Sequence, residues 1–216
     1  VRENLVFVWQ NRQADNQLDE TSPVGFMQGN VEARGRSIYG RFMDMVIDRG
    51  WFETGVAGEK IMQAISGQFS LEMLVTPAHK DQSGGVVALS GDGNRTFKLF
   101  QNGPDLQVLA GQAAPEEEVI AVWEGVFGQN QAVHLIFTAD GAGFDLYING
   151  QHLGRRNVAF NLSGWEQGKV HFGDLNLAWK GRIEGTAIYN SVLPVNTIED
   201  HAEYFKTELA GRRPVP

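Results

Sequence analysis

The feature that most constrains this chain is a period-two alternation of apolar and polar residues, repeatedly interrupted by turns that carry glycine. In Phe69 to Thr76, the apolar Phe69, Leu71, Met73 and Val75 alternate with Ser70, Glu72, Leu74 and Thr76, and Pro77 ends the run. Successive side chains of a strand point to opposite faces, so four apolar groups share one side. Val133, Leu135 and Phe137 repeat the pattern; Asp140-Gly141-Ala142-Gly143 turns the chain, and Phe144, Leu146 and Ile148 resume it, which predicts a hairpin. Asn149-Gly150 follows, a pair suited to a type I′ turn because both central residues need φ > 0.

The same punctuation stands at Gly91-Asp92-Gly93-Asn94 and at Asn102-Gly103-Pro104-Asp105, ahead of strands at Thr96–Gln101 and Leu106–Leu109. Further strands are predicted at Leu5–Trp9, Ser37–Ile47 with a break near Gly40, Trp51–Thr54, Val86–Leu89, Val119–Trp123, Gln151–Gly154, Lys169–Phe172 and Gly181–Tyr189. About a dozen strands without βαβ spacing make an all-β chain of two packed antiparallel sheets or a closed barrel. Two segments depart from the pattern. Val56–Ser66 has Ile61, Met62 and Ile65 at helical spacing before Gly67, which predicts a short bridging helix with an αL cap. After Pro194, the residues Ile198, Ala202, Phe205 and Leu209 form one helical stripe that ends at Gly211 and should pack on the sheets.

Composition narrows the functions open to such a chain. With 18 basic and 26 acidic residues the formal charge is −8, against nucleic acid or an anionic membrane as partner, since both require a basic face. No apolar run approaches the roughly 20 residues of a membrane span, so membrane insertion is not expected. The absence of cysteine removes thiol nucleophiles, thiolate metal sites and redox pairs. Residues 1–211 read as a single domain, and Arg212-Arg213-Pro214-Val215-Pro216 reads as the start of a linker to covalently joined neighbouring domains.

The order of these pieces resembles the LamG-like, concanavalin A-type jelly-roll family of lectins and glucanases. The resemblance rests on Leu146-Tyr147-Ile148-Asn149-Gly150, then on Trp179-Lys180-Gly181-Arg182-Ile183-Glu184-Gly185-Thr186-Ala187-Ile188-Tyr189-Asn190 with Val192-Leu193-Pro194 and Ile198-Glu199. Phe69 to Pro77 is similar to the early family strand. Glu184-Gly185 stands where the family usually has an acidic pair, so one of the two charges is missing. The start, Leu5 to Asn11 with Ala14-Asp15-Asn16, is similar to bacterial LamG-like modules of secreted or envelope proteins. The resemblance therefore implies a two-sheet jelly-roll sandwich and an extracytoplasmic location within a multidomain protein.

Such folds divide between enzymes and binding modules. A retaining glycosidase needs two carboxylates about 5–5.5 Å apart, supplied by alternate residues of one strand, and that strand motif is absent. Glu116-Glu117-Glu118 after Pro115 reads as a solvated run, and Glu199, Asp200 and Glu203 as the outer face of the helix. Fragments of a lyase constellation occur at Arg34, at Gln131 with His134, and at Tyr204-Phe205-Lys206, but their spacing fails. The five histidines, His79, His134, His152, His171 and His201, show no metal-ligand spacing and read as surface or strand-face residues.

No cofactor is therefore expected, although Asp92-Gly93-Asn94, Asp140-Gly141 and Asp174-Leu175-Asn176 carry oxygens that suit calcium. Sugar recognition needs an aromatic face beside planar polar groups. Trp165, within Ser163–Gly168, and Trp179 lie outside strong alternation and are the candidate ligand-binding residues; Trp9, Trp51 and Trp123 read as core. The expectation is a non-catalytic module that binds glycan or a protein surface. The alternatives are a divergent polysaccharide hydrolase or lyase of the same fold, and a structural spacer.

Overall fold

The computed structural model describes residues 4–10, 31–40, 44–65, 67–112, 116–160, 162–165, 168–174 and 179–210. Thirteen strands run through them: β1 (Leu5–Gln10), β2 (Val31–Tyr39), β3 (Met45–Thr54), β4 (Phe69–Pro77), β5 (Ser83–Ser90), β6 (Arg95–Asn102), β7 (Asp105–Gln112), β8 (Glu117–Trp123), β9 (Val133–Ala139), β10 (Phe144–Ile148), β11 (Gln151–Arg156), β12 (Lys169–Gly173) and β13 (Lys180–Tyr189). Helix α1 (Gly55–Ala64) follows β3, and α2 (Val195–Ala210) closes the described chain. All pairings are antiparallel, in the order β11-β10-β9-β4-β13-β3-β12-β5-β6-β7-β8, with β1 on β13 and β2 on β3.

This hydrogen-bonded path folds over into two layers, the first of β11, β10, β9, β4, β13 and β1 and the second of β2, β3, β12, β5, β6, β7 and β8. Phe69 on β4 meets Phe97 on β6 at 6.0 Å between ring centroids, and Trp123 on β8 meets Phe137 on β9 at 6.2 Å, although neither pair of strands is adjacent. Phe7 on β1 likewise reaches Phe172 on β12. The alternation is the cause: Phe69, Leu71, Met73 and Val75 all enter the shared core, as do Val133, Leu135 and Phe137. Each such ring or branched chain contributes about 1.5–3 kcal/mol on leaving water. Ile61, Met62 and Ile65 of the α1 region join the same core.

Three local expectations change. Trp51–Thr54 is not a separate strand, because β3 runs unbroken through Arg49, which adopts φ 60° opposite a bulge at Gly35–Ser37 of β2. Helix α1 ends at Ala64, with the Ile65 amide donating to the Ile61 carbonyl, and Gly67 is not in the left-handed region. Glu184 is the extra residue of a bulge between Ile183 and Gly185, where β13 passes β4. The segment Ala14-Asp15-Asn16 and the linker at 212–216 lie outside the described residues, as does the cap at Gly211.

The C-terminal helix covers the outer face of the first layer. Ile198 is fully buried there among Leu5, Ile136, Ala187, Tyr189 and Leu193. The Asn149-Gly150 turn takes positive φ at both residues, 52° and 82°. Gly150 also lets the helix approach, since a Cβ added there would stand 2.8 Å from the Ala202 Cβ. Gly150→Ala is expected to lower stability by about 1–3 kcal/mol through backbone strain and this clash. Denaturant titration with an unchanged midpoint would contradict that close approach.

Candidate functional site

The outer face of the second layer is built by the register of β3, β12, β5, β6, β7 and β8. Phe52 and Phe172 point into the core and pair across strands, so Trp51, Glu53 and His171 emerge on the other side. Glu53 lies opposite His171, His171 opposite Ala88, Ala88 opposite Lys98, and Lys98 opposite Leu109. One row of side chains therefore crosses five strands. On this side β5 presents only the small Ser83, Gly85, Ala88 and Ser90, which makes it the low floor of a trough between the larger residues of β12 and β6.

Lys98 is the charge centre of the trough. Its Nζ lies 2.8 Å from Glu117 Oε1 and 3.0 Å from Asp174 Oδ2, and none of the three side chains is more than 6% exposed. Thr96 donates a further hydrogen bond to Glu117. Glu117 is thus part of a buried ion triad, which corrects its reading as one of a solvated acidic run. At the opposite wall, Lys169 donates to Glu53 and thereby holds that carboxyl below its ordinary pKa. Burial pushes the pKa of His171 down, which favours the uncharged imidazole. Its Nε2 is buried with no hydrogen-bond partner, 4.0 Å from Glu53 Oε2.

Trp165 and Trp179 do not stand open to a ligand, contrary to the exposure expected of them. Trp179 is fully buried, and its Nε1 donates to Gln101 Oε1 at 2.7 Å. Gln101 Nε2 in turn donates to the carbonyls of His79, Lys80 and Gly103, so the indole is stitched to the loop ends beside it. Trp165 is 4% exposed: it packs edge-on to Phe160, lies under the Arg95 guanidinium and sits on Gly91, where a Cβ would come within 2.6 Å of the ring. The glycine that suggested a loop platform instead makes room for a core indole. Trp9 and Trp123 are core as expected, whereas Trp51 is half-buried on the trough face, so of the five tryptophans it alone keeps part of its surface in solvent.

Two of the three calcium candidates, Asp140 and Asp174, carry other duties. Asp140 accepts from the amides of Ala142 and Gly143 and pairs with Arg155, as turn chemistry requires. Asp174 is held at Lys98, and its neighbours Leu175 and Asn176 lie outside the described residues. Among the described residues no group of three or more acidic or histidine side chains is placed to hold a metal ion. Of the lyase-like fragments, His134 and Phe205 of Tyr204-Phe205-Lys206 meet where α2 covers the first layer, whereas Arg34 stays apart on β2 of the second.

The sequence matches the family model of the concanavalin A-like lectin/glucanases superfamily over residues 54–199, about two thirds of the chain. The chain belongs to this superfamily. The concanavalin A-like fold is shared with solved structures of low identity. Domain 4 of AbnA, an extracellular arabinanase of family GH43 from Geobacillus stearothermophilus, solved with arabinotriose, superposes with TM-score 0.71 at 18% identity, covering 92% of this chain and 98% of that domain. The receptor-binding domain of a botulinum neurotoxin C/D mosaic serotype gives TM-score 0.72 at 15% identity over 94% of this chain. A further neighbour is the binding domain of neurotoxin DC in complex with rat synaptotagmin II, at TM-score 0.67 and 14% identity. The chain spans about half the length of these toxin domains. No curated protein matches the sequence.

Proposed function

We propose that this concanavalin A-like chain is a non-catalytic glycan-binding module that holds its sugar on the trough face, within a larger extracytoplasmic protein. The observation that carries the reading is the placement of Trp51. Its partly exposed indole shares one sheet face with Glu53 and with the unpartnered Nε2 of His171. A pyranose or furanose presents an apolar C–H surface to an aromatic ring and hydroxyls to the groups around it. The arabinotriose-bound neighbour, of nearly the same extent, gives the reading its precedent, and its parent enzyme is extracellular. No helix among the described residues is long and apolar enough to cross a membrane.

Two features support binding over catalysis. A glycosidase acid needs a raised pKa, yet the carboxyls shifted among the described residues, Asp48, Glu53, Glu72 and Asp140, are all lowered. Glu117 and Asp174 come together only with the Lys98 ammonium ion-paired to each. The test is calorimetry against soluble polysaccharides including arabinan, with Trp51→Ala and His171→Ala beside the native chain. Trp51→Ala is expected to weaken binding at least about tenfold with the circular dichroism spectrum unchanged. Absence of binding at millimolar saccharide, or product release from any polysaccharide, would overturn the proposal.

A further inference from the structure

Outside the trough, one carboxylate collects donors from three other elements. Glu72 on β4 lies beneath α2, 7% exposed. It receives His134 Nε2 from β9 at 2.8 Å, the Tyr189 hydroxyl from β13 at 3.0 Å and His201 Nδ1 from α2 at 3.0 Å. An ionised carboxylate can only accept, so each of these three atoms carries the proton. His134 and Tyr189 belong to the sheet that holds Glu72. His201 is the one member that arrives from the helix, and it is 23% exposed. The remaining contacts of α2 in this region are apolar: Ile198 sits among Ile136, Tyr189 and Leu193, and Phe205 stacks on the His134 ring at 4.5 Å.

We infer that the His201–Glu72 pair is a proton-operated latch that fastens α2 to the first layer in mildly acidic solution and loosens it in alkaline solution. Among the described residues, the titratable groups facing His201 are Glu72, His134 and Tyr189 from the sheet and Asp200 on its own helix. The hydrogen bond to Glu72 raises the His201 pKa above its ordinary 6.5, so its stabilisation is complete below that value and is lost as pH rises through the folded-state pKa. Its two histidine partners bring Glu72 down to about 2, against the cost of burial, so the carboxylate's share is complete above its ordinary 4.5 and is lost only as pH falls towards 2. The latch is therefore tightest between about pH 4.5 and 6.5. On the acid side of neutrality the helix gains a charge-assisted bond; on the alkaline side that bond loses its charge and the apolar contacts carry more of the hold.

Hydrogen exchange measured by mass spectrometry on the intact chain at pH 5.5 and pH 9, corrected for intrinsic rates, tests the latch. Amides of α2 should be about fivefold better protected at pH 5.5, while those of β6 and β7 change little. His201→Gln, at a partly exposed position, should keep the fold and abolish the difference. Glu72→Gln should do the same, and if that variant fails to fold, His201→Gln decides alone. Equal protection of α2 at the two pH values, or a difference that persists in His201→Gln, would overturn the inference.

Discussion

Lys98→Met is expected to lower the thermal midpoint by about 6–20 °C, corresponding to a loss of about 3–5 kcal/mol. Removing the ammonium leaves Glu117 and Asp174 facing one another, with side chains 6% and 2% exposed and no cation between them. The cost arises from the two stranded charges more than from the lost attraction, because a buried pair gains little over an apolar replacement of similar volume. A triple variant, Lys98→Met with Glu117→Gln and Asp174→Asn, should therefore recover much of the midpoint. Differential scanning calorimetry of both proteins separates the two contributions. A single variant as stable as the native chain would mean that the triad is solvated in solution.

Trp179→Ala should be comparably damaging, at about 3–5 kcal/mol. The indole is fully buried, and its departure leaves a cavity and also strips Gln101 Oε1 of one of its two donors, Gln82 being the other. The result bears directly on function, since a ligand platform and a core residue answer differently to truncation. A platform variant keeps its midpoint and loses sugar; a core variant loses its midpoint first. Chemical denaturation and calorimetric titration on the same preparation distinguish them, and an unchanged midpoint would return Trp179 to the ligand.

The strands were legible because their signal is local. Alternation in Phe69–Val75 and Val133–Phe137 decides which side chains enter the core without reference to any other segment, and Asn149-Gly150 declares its turn in two residues. The trough was not legible, because it is a property of register. Glu53, Ala88, Lys98 and His171 carry no motif, and only the pairing of β3, β12, β5 and β6 sets them in one row. Trp51 was misread for a related reason: apolar character suggested core, whereas its neighbour Phe52 already occupies the inward position. Trp165 and Trp179 were misread because flanking glycines suggest open loops, and here glycine serves close packing. Nor could spacing reveal the cluster around Glu72, whose four members stand on four different elements; the available hint was a charged residue on the polar side of a strand that a helix was expected to cover.

The pairing of β13 has a kinetic side. This strand, near the end of the described chain, hydrogen-bonds to β1, β3 and β4, so that Leu5 is partnered by Tyr189 and Val75 by Ile183. Hairpins such as β6–β7 and β9–β10 can close early from neighbouring residues, but the seam that joins the layers waits for one late segment. Closure of such long loops makes the search slow, and until it ends the flanks of β3 and β4 are unpaired edges open to other chains. During synthesis the sandwich is two separate halves, and their union depends on ten residues that leave the ribosome after all the other described strands.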